Sequence, residues 1–152
     1  MNSKFCTYKR VGYLRRNIAE ELGIEFTGVI YASPGVLKHI IKRHGKQLDK
    51  KIKNNIFEFM RAILDEPDYI GIYKSDEGNV SIEFVKKMYS NLLLGVGVDE
   101  MNQYIYVSTM YPINEKKIQN RVCYGELKEL TYEWNIFIER NVSELYNNSI
   151  VI

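Results

Sequence analysis

The sequence has few of the residues that build disulfide frameworks or metal sites. Its 152 residues include two cysteines, two histidines and one tryptophan. Cys6 and Cys123 are isolated and lack Cys-x-x-Cys spacing, unlike the dense cysteine pattern of small secreted domains. We therefore expect a protein of a reducing compartment, the cytoplasm.

Long apolar segments are also missing. A membrane-spanning helix needs about 20 apolar residues, and uncharged runs such as Tyr89 to Val98 are far shorter. Met1 to Lys9 lacks the apolar stretch of a secretory signal. The sequence therefore predicts neither a membrane span nor a membrane partner.

The hydrophobic content excludes a disordered chain. Hydrophobic residues make up 45% and aromatic residues 12% of the sequence, enough for burial to outweigh the lost chain entropy. A chain of this length buries roughly 70% of its unfolded surface in one core. We expect residues 1–152 to form a single domain.

The net charge of +2 conceals a strong asymmetry along the chain. Residues 34–61 carry eight basic and two acidic groups, whereas residues 62–112 carry three basic and eight acidic groups. A local excess of positive charge attracts phosphates even when the total is near zero. The alternative is that these lysines are only the solvated faces of two helices.

Helical patterns occupy the first half of the chain. Ser33 followed by Pro34 is typical of a helix start, and Gly45 follows the last residue of the pattern. A second amphipathic pattern predicts a helix from Leu48 to Asp65, ended by Pro67. Four further elements are expected: a helix from Arg15 to Leu22, a strand from Gly28 to Ala32, and helices from Asn114 to Tyr124 and from Lys128 to Tyr146.

The hydrophobic period changes to two after the second helix. It predicts four strands: Asp68 to Ser75, Val80 to Met88, Asn91 to Asp99, and Tyr104 to Met110. The short polar links between them favour hairpins. The sequence therefore predicts an α+β fold in which N-terminal helices pack on a four-stranded antiparallel sheet, with a C-terminal helical extension.

The two histidines lie on the first of these helices. His44 falls within the apolar arc, whereas His39 and Arg43 lie at its edge. An imidazole beside a cleft can transfer protons near neutral pH; otherwise His44 is a core side chain and His39 is solvent-exposed. Zinc binding is not expected, because the histidines lie about 140° apart around the helix and no third ligand has suitable spacing.

The strands carry a second group of candidate residues. Lys86 ends an apolar row, and Glu83 and Lys87 share a mixed row. Gly95 and Gly97 fall on one face, where a ligand or another segment could approach closely. The segment containing Trp134 and Phe137 is the alternative occupant. On the last strand, Ile105, Val107 and Thr109 are predicted to form one row, and Tyr104, Tyr106 and Ser108 the other.

Twelve tyrosines form a further pattern. Several lie on the strands near basic residues, and aromatic rings beside cations suit base stacking and phosphate contact on single-stranded RNA. Tyrosines also favour half-buried sheet surfaces for packing reasons alone.

The order of these elements resembles a known family. The strand ending at Ser33, the helix segment Lys38 to His44, the helix end at Pro67-Asp68 and the strand Tyr106 to Tyr111 resemble the phage-associated barnase, EndoU, colicin and RelE-like nucleases. The resemblance covers roughly residues 27–125, with residues 126–152 as the extension. It implies RNA cleavage that needs no metal or other cofactor.

The resemblance also implies roles for particular residues. His39 or His44 would act as base or acid, Arg43 with Lys86 or Lys87 would stabilise charge, and Ser108 and Thr109 would donate to phosphate. Lys38, Lys42, Tyr106 and Tyr111 would bind RNA. The expected partners are RNA, with tRNA one candidate, and an antitoxin or immunity protein.

Three functions remain open from the sequence. The first is a toxin-like or phage-encoded endoribonuclease that cleaves RNA by attack of the 2′-hydroxyl. The second is a catalytically inactive module on the same scaffold that binds a protein partner. The third is an unrelated α+β domain that binds a small ligand over Gly95 and Gly97.

Overall fold

The computed structural model describes residues 8–25, 27–77 and 79–130. In this part of the chain there are seven strands and five helices. The strands are β1 (Lys9–Leu14), β2 (Gly28–Ala32), β3 (Tyr69–Lys74), β4 (Val80–Lys86), β5 (Leu92–Asp99), β6 (Tyr104–Pro112) and β7 (Lys128–Glu129). The helices are α1 (Arg16–Glu21), α2 (Pro34–His44), α3 (Lys50–Asn54), α4 (Ile56–Asp65) and α5 (Glu115–Cys123).

All seven strands join one mixed sheet in the order β1-β2-β6-β5-β4-β3-β7. Strands β3 to β6 form the expected antiparallel meander. The prediction of a four-stranded antiparallel sheet preceded by helices was nevertheless wrong, because β1, β2 and β7 extend the sheet at both edges and β2 pairs with β6 in parallel. The fold remains α+β overall.

Strand β2 is much shorter than its neighbour β6. It pairs with β6 only at Ile30 with Ile105 and at Tyr31 with Tyr106. Beyond this point the chain turns into α2, which packs against β6. Ser33 caps α2 by accepting a hydrogen bond from the Val36 amide at 3.2 Å, as expected from the sequence.

Apolar side chains cover the two faces of the sheet unequally. Helices α1 to α4 bury residues such as Ile18, Ile40, Ile52 and Met60 against one face, in the larger core cluster. On the other face, α5 inserts Ile118 into a smaller cluster. Helix α5 therefore marks the second face, which we call the α5 face.

The single helix predicted from Leu48 to Asp65 is divided in two. Asn55 leaves the helical conformation, with φ −137° and ψ 39°, and its side-chain amide donates to the Lys51 carbonyl oxygen at 2.9 Å. Asparagine competes in this way for backbone hydrogen bonds that a continuous helix would use. The break separates α3 from α4.

The structure describes only the beginning of the C-terminal part, for which helices were predicted. The helix expected from Asn114 to Tyr124 is confirmed as α5, but Lys128 and Glu129 form β7 and pair with β3. The helical extension was therefore wrong at its beginning. Its remainder, with Trp134 and Phe137, lies outside the described residues. Among the described residues, no helix is long and apolar enough to cross a membrane.

Candidate active site

The candidate site lies on the α5 face. Leu93 and Val85 pack with Ile118 of α5, so the alternation along β5 and β4 also places Gly95, Gly97, Ser81 and Glu83 on this face. Gly95 pairs with both Glu83 and Thr109, and Gly97 pairs with both Ser81 and Tyr106. Two neighbouring rows of small, polar and aromatic residues thus cross the middle of the sheet.

Neighbouring side chains occupy the space above the two glycines. A Cβ at Gly97 would come within 2.6 Å of the Tyr106 ring, and a Cβ at Gly95 would approach Thr109 Cγ2 at 3.0 Å and Ser108 Oγ at 3.2 Å. The glycines therefore allow Tyr106, Ser108 and Thr109 to lie close to the sheet surface. This occupancy argues against a small ligand resting directly on Gly95 and Gly97.

A bulge in β6 brings these side chains together. Gly95 pairs with Thr109, but the next residue, Val96, pairs with Val107. Ser108 is the extra residue of the bulge. Alternate residues before Ser108 and after it therefore point to opposite faces of the sheet. The predicted row of Ile105, Val107 and Thr109 was therefore wrong, since Ile105 and Val107 join the large core while Thr109 lies over Gly95.

A buried carboxylate lies in the middle of the α5 face. Glu83 is the one buried charged residue in the described part of the chain, with 9% of its surface exposed. Its Oε1 accepts a hydrogen bond at 2.6 Å from Nη1 of Arg121 in the last turn of α5. Nη2 of the same guanidinium lies 3.5 Å from the Tyr111 hydroxyl.

The charges of this group act on one another. Burial raises the pKa of Tyr111, and the negative charge of Glu83 raises it further, against the opposing effect of Arg121. Burial alone would lower the pKa of Arg121, but the hydrogen bond and charge of Glu83 raise it above its ordinary value. At neutral pH the group therefore contains a guanidinium cation and a protonated phenol.

His44 reaches this group from the end of α2. Its ring centroid lies 5.1 Å from that of Tyr111, with the planes inclined at 32°. Nδ1 lies 3.3 Å from the side-chain oxygen Oε1 of Gln47, and a proton on Nδ1 satisfies this contact. The imidazole is partly buried, so it is neither a fully enclosed core side chain nor a freely exposed one.

The other predicted residues of α2 are not assembled with His44. His39, Arg43, Lys38 and Lys42 are all exposed. His39 lies about 140° from His44 around the helix axis, on another side of α2. The lysines of the basic segment share this exposure, as the solvated-helix alternative expects: Lys38, Lys42, Lys46, Lys50, Lys51 and Lys53.

The two strand lysines make contacts at the end of β4. Lys86 Nζ donates to the Glu66 carbonyl oxygen at 2.8 Å, after the end of α4. Lys87 Nζ lies 3.0 Å from Glu115 Oε1 and 5.6 Å from the Tyr69 ring centroid. Lys86 therefore links β4 to the segment after α4, and Lys87 forms an exposed pair with α5. Among the contacts of the described residues, neither lysine touches the Glu83 group.

Sequence reasoning missed Glu83 and Arg121 as site residues. Glu83 was noted only as a member of a mixed row, and Arg121 belonged to a less regular predicted helix. A usable signal was present, because a carboxylate flanked by Ile82 and Phe84 in a strand requires a partner when it is buried. The cationic partner, however, lies 38 residues away.

The described residues contain no cluster of three or more histidine, cysteine, aspartate or glutamate side chains able to hold a metal ion. The group instead combines a carboxylate, a guanidinium and a phenol on the α5 face with an imidazole from the end of α2, and the hydroxyls of Ser108 and Thr109 lie beside it. Such a set can exchange protons and bind a phosphate through a cation and hydrogen bonds.

Comparison with known proteins identifies one family. Residues 9–120 match the family model described as phage-Barnase-EndoU-ColicinE5/D-RelE like nuclease3. No curated protein and no solved structure matches the chain. The matched segment contains β1 to β6 and most of α5, including His44, Glu83 and Tyr111, and ends one residue before Arg121. The chain therefore belongs to the phage-Barnase-EndoU-ColicinE5/D-RelE like nuclease3 family and is a nuclease of the barnase and EndoU-like group.

Proposed function

We propose that this nuclease is a metal-independent endoribonuclease whose active site is the Glu83, Arg121, Tyr111 and His44 group on the α5 face. The observation that carries the proposal is the continuous chain of contacts from His44 through Tyr111 and Arg121 to Glu83. Four elements of the fold, α2, β6, α5 and β4, each contribute one side chain to it.

The proposed reaction is transesterification within RNA. Glu83 accepts the proton of a 2′-hydroxyl, and the 2′-oxygen attacks the adjacent phosphorus. The new bond between phosphorus and the 2′-oxygen replaces the bond to the 5′-oxygen, which leaves with a proton from the His44 imidazolium. The products are a 2′,3′-cyclic phosphate and a 5′-hydroxyl, so atoms and charge balance without an added reagent.

Arg121 is suited to stabilise the charge that develops on the phosphate. Its guanidinium is held between Glu83 and Tyr111, and its side chain is 27% exposed, so a substrate oxygen could reach it from solvent. A preorganised cation in a partly desolvated site favours a more highly charged transition state. Ser108 and Thr109 lie in the adjoining part of β6 and supply hydroxyl donors.

The direct test is cleavage of a labelled single-stranded RNA in the presence of EDTA. We expect cleavage to persist under chelation, with a 2′,3′-cyclic phosphate identified by mass spectrometry. A single 2′-deoxynucleotide on the 5′ side of the scissile bond should block cleavage there, because the attacking oxygen is missing. Loss of all cleavage on chelation, or products ending in a linear phosphate from the start, would overturn the mechanism.

Variant proteins provide the control for contaminating ribonuclease. Glu83→Gln keeps the size of the side chain and a hydrogen-bond acceptor but removes the base, and should lower cleavage by about 100-fold or more. It must be purified in parallel with the native protein. Equal cleavage by both proteins would mean either contamination or a base other than Glu83. Cleavage of the same RNA by a mock preparation separates these two results.

A toxin role with an inhibitor partner is the finer part of the proposal. If expression of the native chain stops growth while Glu83→Gln does not, the cleavage activity itself is harmful to the cell. Equal toxicity of both chains would instead favour the inactive binding module as the function.

A further inference from the structure

Three tyrosines form a stacked group on the α5 face, beside the proposed active site. The ring centroids of Tyr31 and Tyr104 are 5.9 Å apart with planes at 22°, and those of Tyr104 and Tyr106 are 5.3 Å apart with planes at 18°. The three rings come from β2 and β6. They share nearly the same orientation across two strands.

The arrangement leaves parts of the ring faces available. Parallel rings in full face-to-face contact would have closer centroids, so separations of 5.3 and 5.9 Å indicate an offset arrangement. All three tyrosines are partly exposed. Their surfaces are flat, uncharged and amphipathic, which suits the planar faces of nucleobases better than it suits phosphates.

The group is also correctly placed relative to the active site. Tyr106 lies over Gly97, whose partner on β4 is Ser81, and the next row on the same face contains Thr109, Gly95 and Glu83. Two residues along a strand correspond to about 7 Å. The tyrosine row therefore lies next to the row that contains the proposed base.

We propose that Tyr31, Tyr104 and Tyr106 form a stacking platform for unpaired bases of RNA next to the scissile phosphate. The inference rests on the proposed ribonuclease function and names the form of its substrate. Bases in a duplex are stacked on their own neighbours and cannot contact the rings, so the platform selects single strands. Because stacking reads no base edges, this selection is tolerant of sequence.

The test measures binding separately from cleavage. The probe is a fluorescein-labelled 2′-O-methyl RNA of mixed sequence, which lacks the attacking hydroxyl, used as a single strand and as a duplex. Fluorescence anisotropy gives the Kd for the native protein and for Tyr104→Ala. We expect the variant to bind the single strand about 5- to 150-fold more weakly and to bind the duplex with unchanged affinity.

Matched variants keep the result interpretable. Tyr104→Phe keeps the ring and should bind within a few-fold of the native protein. Tyr89→Ala removes a more exposed tyrosine, 66% exposed, at the opposite end of the sheet, and should leave binding unchanged. If Tyr104→Ala loses its thermal transition, Tyr31→Ala on the neighbouring strand replaces it and carries the same expectation.

Failure of the platform can be distinguished from failure of the ribonuclease. Native cleavage of RNA together with unchanged single-strand binding by Tyr104→Ala overturns the platform and leaves the ribonuclease intact. Weakening of single-strand and duplex binding by the same factor also overturns it, because base stacking predicts a difference. Selective loss of single-strand binding in a protein that cleaves no RNA supports the platform and rejects the proposed activity.

Discussion

Nη1 of Arg121 lies 2.6 Å from Oε1 of Glu83, although 38 residues separate them in the chain. The side chains are 27% and 12% exposed, so the pair is largely removed from solvent. The hydrogen bond joins the last turn of α5 to the middle of β4. It therefore fixes the helix on the sheet and also sets the position of the proposed base.

Removal of Arg121 from this pair should destabilise the protein more when the charge of Glu83 is left in place. Arg121→Ala leaves a largely buried carboxylate without its partner and should cost about 1–3 kcal/mol. Adding Glu83→Gln should recover part of that loss, because the amide tolerates burial better than a charge. Urea unfolding of both single variants and the double variant measures the effect. Lys87→Ala breaks an exposed pair and should cost much less; an equal loss would contradict this explanation.

Removal of His44, the proposed acid, should prevent proton transfer to the leaving group. We expect His44→Ala to lower RNA cleavage by at least about 100-fold while the thermal transition is retained, since the ring is only partly buried. Initial rates on a labelled RNA give the ratio. A larger rate loss in His39→Ala than in His44→Ala would transfer the role to the exposed histidine, and a lost thermal transition in His44→Ala would indicate a structural role.

Gly97 should tolerate a larger side chain only if Tyr106 is shortened. A Cβ at Gly97 would come within 2.6 Å of the Tyr106 ring, so Gly97→Ala should cost about 1–3 kcal/mol through overpacking. In a Tyr106→Ala background the same substitution should have little further effect. Gly28→Ala, whose Cβ would meet its nearest neighbour at an ordinary 3.6 Å, serves as the control. If Gly97→Ala and Tyr106→Ala lower the free energy of unfolding additively in the double variant, as measured in urea, the clash is ruled out.

The raised pKa of Tyr111 makes stability sensitive to alkaline pH. Burial, followed by the charge of Glu83, raises this pKa above that of the unfolded chain. A raised pKa in the folded state contributes stability that is complete below the ordinary tyrosine pKa of about 10 and is lost as the pH rises through the folded value. Tyr111→Phe lacks this titration.

The native protein should therefore keep its stability relative to Tyr111→Phe below a pH of about 10 and lose it as the pH rises above that value. Urea midpoints of both proteins, measured in parallel at each pH, give the difference. A difference that does not change as the pH rises through this value would show that ionisation of Tyr111 is not coupled to folding.

The local pattern of the sequence predicted most elements but not their assembly. The strand from Gly28 to Ala32 and the start of α2 at Pro34 follow from residues adjacent in the chain. β1 was missed because it is a short edge strand with charged residues and an irregular register near Arg10 and Gly12. The parallel pairing of β2 with β6 depends on contacts across about 75 residues, for which a single sequence has no periodic signal.

The candidate site was predicted in part for the same reason. His44 was singled out by its position on the helix and, like Ser108, Thr109 and Tyr111, by the family resemblance, and the structure brings these residues to or beside one group. The strict period of two failed at Ser108, because one extra residue reverses the faces of β6. Glu83 and Arg121 were missed because a polar residue in a strand has meaning only together with its distant partner.

The early end of β2 determines where the imidazole lies. β2 pairs with β6 only as far as Tyr31 and Tyr106, and α2 then follows the unpaired part of β6 until His44 reaches Tyr111. The distance from the last β2 pair to the proposed acid is thus set by the eleven residues of α2. An insertion that lengthened β2 by two residues would continue the sheet toward the helix and displace the imidazole from Tyr111. The length of a strand that contributes no proposed proton donor or acceptor thereby becomes a determinant of the proposed proton transfer.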